Sequence, residues 1–150
     1  MTHIHVLFGT ESGNAEMVAD DIASVFRDQG FDSSVTELTD VDVTDLLRMD
    51  TAVFVTSTYG EGGLPETAAS FYDALIAQSP DLTGLRFAAF GLGDSIYETF
   101  NNAIDTIREA LLRLGAEQVG ETAKHDAASA IDATDQANDW AGNLLSLMPA

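Results

Sequence analysis

Apolar positions along the 150-residue chain alternate between two periodicities, and the alternation predicts most of the fold. Short β-type runs occur at His3–Phe8, Ser34–Leu38, Thr51–Thr56, Arg86–Gly91 and Gln118–Thr122. Two of them, Ala52-Val53-Phe54-Val55 and Phe87-Ala88-Ala89-Phe90, are apolar without interruption, as expected of strands covered on both faces. Between them lie stretches of helical spacing. The first carries Ala15, Val18, Ile22 and Val25, and the second Ala68, Phe71 or Tyr72, and Leu75. The third carries Phe100, Ile104, Ile107, Leu111 and Leu114, and the last Ala137, Trp140, Leu144 and Met148. Gly30 and Gly115 stand just past two of these patterns, where C-terminal caps belong. A further short helix is expected over Val43–Arg48, and Asp126–Asp135 is read as a surface loop. Strand and helix signals in turn, joined by short connections, specify an α/β domain with a parallel sheet and helices on both faces. Residues 1–150 are expected to form one such domain.

Composition narrows the chemistry. With no cysteine, disulfides, thiolate catalysis and Cys-ligated metal or iron–sulfur centres are excluded. No apolar run approaches the ~20 residues of a membrane span. No signal-peptide pattern precedes His3, so a cytoplasmic location is expected. The 25 acidic residues against 6 basic ones give a net charge of −19, which repels nucleic acid and anionic lipid and attracts basic proteins. Aspartate predominates and Lys124 is the only lysine, a balance that suits a high-salt cytoplasm as well as an ordinary small acidic protein.

Three motifs follow the first, third and fourth strands, at the edge where doubly wound sheets bind ligands. Thr10-Glu11-Ser12-Gly13-Asn14 offers hydroxyls, an amide and a helix N-terminus to a phosphate, with no basic residue; the same residues also serve as an ordinary N-cap. Ser57-Thr58-Tyr59-Gly60-Glu61-Gly62-Gly63 sets a tyrosine among glycines that let the backbone adapt to a ligand. Gly91-Leu92-Gly93-Asp94-Ser95-Ile96-Tyr97 repeats that arrangement. Each tyrosine alone fits local packing, whereas two on one edge suit a planar phosphorylated ligand held from both sides. His3 and His5 alternate on one strand, in reach of a shared metal or of separate hydrogen bonds.

In these motifs the chain resembles flavodoxin-like FMN proteins over essentially its whole length. Thr-Tyr-Gly-Glu-Gly (58–62) and Gly-Leu-Gly-Asp-Ser-x-Tyr-x-x-Phe (91–100) are similar to the FMN domains of diflavin reductases, such as the sulfite reductase flavoprotein and cytochrome P450 reductase. Size, together with Pro80-Asp81-Leu82, Arg86-Phe87 and Gly120-Glu121-Thr122-x-Lys124, resembles the stand-alone MioC-type flavodoxins. The resemblance implies a five-stranded sheet of order 2-1-3-4-5 with FMN at the switch point, the arrangement for which flavodoxin is a standard example. It implies that Thr10, Glu11, Ser12, Gly13, Asn14 and Ala15 hold the phosphate. Tyr59 and Tyr97 would cover the two ring faces, and Gly60, after Ser57 and Thr58, would offer its carbonyl to the N5 proton. Leu92, Gly93, Asp94, Phe100 and Asn101 would line the ring and ribityl chain, with Asp126 in a looser correspondence. Ala15 stands where typical flavodoxins have threonine, and Gly63-Leu64-Pro65-Glu66 departs from the reductase pattern. The implied function is single-electron shuttling between a basic reductase and acceptor redox proteins. No nucleophile–base pair stands out. The alternative is a flavin-dependent NAD(P)H quinone or nitro reductase on the same fold.

Overall fold

A computed structural model of the chain describes residues 3–9, 14–57, 66–93, 102–126 and 131–146. They form strands β1 (His3–Gly9), β2 (Asp32–Glu37), β3 (Thr51–Ser57), β4 (Arg86–Gly93), β5 (Glu117–Gln118) and β6 (Ala123–Asp126). The helices are α1 (Asn14–Asp28), α2 (Glu66–Gln78), α3 (Asn102–Arg113) and α4 (Ala133–Leu145). Every strand pairing is parallel, in the order β2-β1-β3-β4-β5, with β6 also on β4. The expected sheet order 2-1-3-4-5 is observed.

Alternation of side chains along each central strand divides the core in two. Ile4, Val6 and Phe8 of β1, Val53 and Val55 of β3, and Ala88, Phe90 and Leu92 of β4 face α1 and α4. Leu7, Phe54, Phe87 and Ala89 face α2, α3 and the 3₁₀ turn Val43–Arg48. This explains the continuous apolar runs: β3 and β4 have no solvent face to reserve for polar residues. Trp140 of α4 sets its ring edge-on to Phe90, centroids 5.4 Å apart, and its indole N–H donates to the Glu121 carbonyl at 3.2 Å.

The helix ends follow their local chemistry. Gly30 and Gly115 adopt φ of +89° and +104°, and the bonds Phe31 N–H to Phe26 O and Ala116 N–H to Leu111 O close both caps. Val43–Arg48 is a 3₁₀ rather than α turn, started by a reciprocal box. Asp42 accepts from the Thr44 N–H, and Asp45 accepts from the Asp42 N–H.

Three expected boundaries need correction. The second strand begins at Asp32, because Asp32 to Ser34 are drawn into register with His3 to His5. The fifth strand is not Gln118–Thr122 but two pieces. Glu117 and Gln118 pair with Arg86 and Phe87, the chain leaves the ladder around Gly120 (φ +69°), and Ala123 to Asp126 rejoin it beside Phe90 to Gly93. Asp126 therefore ends a strand, and the expected 126–135 loop gives way to α4 at Ala133, whose N-cap Asp132 accepts from the Thr134 N–H. The expected helical positions Phe100 and Met148 lie outside the described residues.

Candidate cofactor site

Strand register places the ends of β1, β3, β4 and β6 side by side. Gly9 is level with Thr56, Ser57 with Leu92, and Gly93 with Asp126. The described strands thus finish in glycine, serine and glycine at the three adjacent central positions. Among the described residues no large side chain closes that stretch of the edge. The segments 10–13, 58–65 and 94–101 connect there. The order β2-β1-β3 also makes α1 and α2 leave to opposite faces, so the crevice between β1 and β3 is the topological switch point.

Of the residues expected to hold the phosphate, Asn14 opens α1 and Ala15 is fully buried against the sheet. The 15-residue α1 directs its N-terminal partial positive charge to this edge. Ser57 is half-buried, Leu92 is 8% exposed, and Gly93 ends β4. Thr10, Glu11, Ser12, Gly13, Thr58, Tyr59, Gly60, Asp94, Tyr97, Phe100 and Asn101 lie outside the described residues. The departure at Gly63-Leu64-Pro65 also lies outside them.

Two supporting residues carry no sequence signal of their own. Gly9 sits under the start of α2: a Cβ there would lie 2.7 Å from Ala68 Cβ and 3.3 Å from Leu38 Cδ1. Thr56 is buried, and its hydroxyl donates to the Ser57 carbonyl at 3.2 Å. A glycine closing a strand just before a hydroxyl-rich turn is the one hint that the backbone must pass close to something there.

Four of the six basic residues stand away from this edge. Arg27 and Arg113 lie in the last turns of α1 and α3, Arg48 ends the 3₁₀ turn before β3, and Arg86 begins β4. All four stand toward the opposite, N-terminal edge of the strands. Arg108 and Lys124 are both engaged by Asp105, at 3.8 and 2.7 Å. Glu16, Glu37, Asp126, Asp132 and Asp135 lie at the strand ends and helix starts around the ligand edge.

His3 and His5 do share a face, with ring centroids 4.4 Å apart, but His3 Nε2 is hydrogen-bonded to Ser34 Oγ at 2.9 Å. Burial and the neighbouring His3 charge push the His5 pKa below its ordinary value. Both sit on the far end of β1 from the ligand edge.

The flavodoxin family model matches residues 6–140. The chain belongs to the flavodoxin family. It is 34% identical to protein MioC of Escherichia coli K12 over 148 residues, covering 99% of each. It is 36% identical over 134 residues to the NADPH-dependent diflavin oxidoreductase 1 of Emericella nidulans, covering 86% of this chain and 20% of that one. A solved short-chain flavodoxin associated with a non-canonical PDU bacterial microcompartment superposes with a TM-score of 0.84. It is 33% identical, with 97% and 98% of the two chains covered. This flavodoxin is accordingly an FMN-binding electron carrier of the MioC type. Its described residues fit that cofactor. The α1 N-terminus presents partial positive charge to a phosphate, and among the described residues only glycine and serine end the three central strands.

Proposed function

We propose that this flavodoxin carries single electrons between a basic reductase and acceptor redox proteins, acting as one domain over residues 1–150. The observation that carries the reading is the distribution of basic residues just described. The four arginines away from the cofactor edge stand among acids of their own, such as Asp28, Asp32 and Asp45, which pairs with Arg48 at 3.5 Å. Acidic side chains surround the edge where the cofactor belongs, and four of six basic residues lie toward the other edge. Such a distribution orients basic partners toward the redox centre and releases them quickly in salt.

When bound, FMN supplies one-electron chemistry, and the protein sets its affinity and potential. The α1 N-terminus, the hydroxyls of Thr10 and Ser12, and Asn14, with Glu11, Gly13 and Ala15, would hold the phosphate. Tyr59 and Tyr97 would cover the ring, and the Gly60 carbonyl would accept a hydrogen bond from it. Ser57, Thr58, Leu92, Gly93, Asp94, Phe100 and Asn101 line the remainder. Stacked tyrosines and surrounding carboxylates would oppose added negative charge on the ring and so would separate its two reduction potentials. The absence of any long apolar helix among the described residues is in keeping with a cytoplasmic carrier, and the carboxylate excess with a high-salt one.

FMN titration of the purified protein, followed by stepwise reduction with dithionite, tests the proposal. Tight 1:1 binding and two resolved one-electron steps are expected. A protein that binds no FMN, or is reduced in a single two-electron step, would sink it. Electron uptake from a basic reductase should slow steeply as ionic strength rises past about 0.1 M.

A further inference from the structure

His125 is one of three buried polar residues among those described, with Thr51 and Thr56. In β6 it stands level with Leu92, which places it on the sheet face covered by α1 and α4. Its Nε2 lies 2.9 Å from the carbonyl oxygen of Ile131, two residues before α4 begins. A carbonyl oxygen only accepts, so Nε2 carries the proton and donates. On the opposite face the adjacent Lys124 reaches Asp105 in the first turn of α3 at 2.7 Å.

These two bonds matter because β6 is poorly supported by its own backbone. It is four residues long, pairs among the described residues only with β4, and is cut off from β5 by the break around Gly120. A short strand with one neighbour opens easily unless side chains secure it. Here Lys124 ties it to α3 on one face and His125 ties it to the residues leading into α4 on the other. Its last residue, Asp126, is level with Gly93, the residue from which β4 passes into the third motif.

The geometry points to His125 as a positioning residue for the cofactor edge. By donating to the Ile131 carbonyl it fixes the end of β6, and so the backbone from which the Asp126 carboxylate projects, level with Gly93. The assignment holds only if the FMN site proposed above is correct. A carboxylate held there opposes negative charge on the reduced ring; one released into solvent does so less.

Wild type, His125→Gln and His125→Leu, each loaded with FMN, test the assignment. Glutamine can set an N–H close to the Nε2 position, whereas leucine fills the space without a donor. His125→Leu should bind FMN about tenfold more weakly, as expected for one buried hydrogen bond. Its second reduction should become easier, at a less negative potential. His125→Gln should return both properties most of the way to wild type. Unchanged affinity and potential in the leucine variant, or equal losses in both variants, would overturn the assignment. Should His125→Leu fail to fold, long-range ¹H–¹⁵N spectra of the wild type decide: an Nε2-protonated ring supports the assignment, and an Nδ1-protonated neutral ring refutes it. A wild type that binds no FMN overturns the cofactor reading itself, and is thereby told apart from a failure of the His125 assignment alone.

Discussion

Replacing Gly9 with alanine probes the packing directly beneath the cofactor edge. The added Cβ would stand 2.7 Å from Ala68 Cβ, 3.3 Å from Ala68 Cα and 3.3 Å from Leu38 Cδ1. Carbon atoms rest at about 3.5–4.0 Å, so the contact with Ala68 is short by roughly 1 Å. Leu38 can rotate away, but the Ala68 Cβ is fixed to the backbone of α2. Relief therefore requires the start of α2 to move off β1, and overpacking of this kind costs about 1–3 kcal/mol. Gly9 leads into the first motif and α2 follows the second, so the shift should also weaken FMN binding. Urea unfolding of the apoprotein measures the stability loss, and quenching of FMN fluorescence measures affinity. Ala68→Gly removes the opposing methyl at about 1 kcal/mol of helix propensity. In the double variant the Gly9→Ala penalty should largely vanish, a coupling that a double-mutant cycle reads. A Gly9→Ala protein within about 0.5 kcal/mol of wild type, or strictly additive effects, would refute the reasoning.

Ser79, just past α2, adopts φ of +44°, the one non-glycine residue with positive φ among those described. Ser79→Gly should stabilise the protein by about 0.5–1 kcal/mol in thermal unfolding, even though it loses the exposed Ser79 hydroxyl bond to the Ile76 carbonyl. Stability should also fall in two stages on acidification. The folded state resists protonating His5, whose pKa is pushed below 6.5 first by burial and then by His3, while the unfolded chain accepts the proton near 6.5. That contribution is present above pH 6.5 and declines as pH falls from there toward the lower folded pKa; His5→Asn should flatten this stage in urea midpoints. The second stage begins below pH 3.8, where Asp42 and Asp81, held low by hydrogen bonds from Thr44 and Thr83, take up protons and release those caps.

The buried strands were legible because burial on both faces leaves an uninterrupted apolar record, as in Val53 to Val55 and Phe87 to Phe90. Helix caps at Gly30 and Gly115 were legible because left-handed φ selects glycine. The edge strands were not. Their missed ends, Asp32 and Ser33, and Ala123 to Asp126, belong to the sheet through main-chain bonds to β1 and β4, which any residue but proline can make. Their side chains record a solvated edge and tethers to neighbouring helices. At the site, the motifs announced a phosphate and a planar ring through glycine, hydroxyl and tyrosine spacing. Gly9 and His125, which support the edge from below and beside it, act through distances to Ala68 and Ile131 that no local pattern encodes.

The divided fifth strand also bears on how copies of this protein avoid one another. An open sheet offers two rows of unpaired backbone groups, and long flat rows invite other chains to add on. On one side the row is cut into segments of two and four residues with a bend between them. On the other, β2 is six residues long but begins in Asp32, ends in Glu37 and is mostly polar between. The divided border cannot template a continuous foreign strand, so when the net charge of −19 is neutralised by salt or acid, growth by strand addition is left with the β2 border alone.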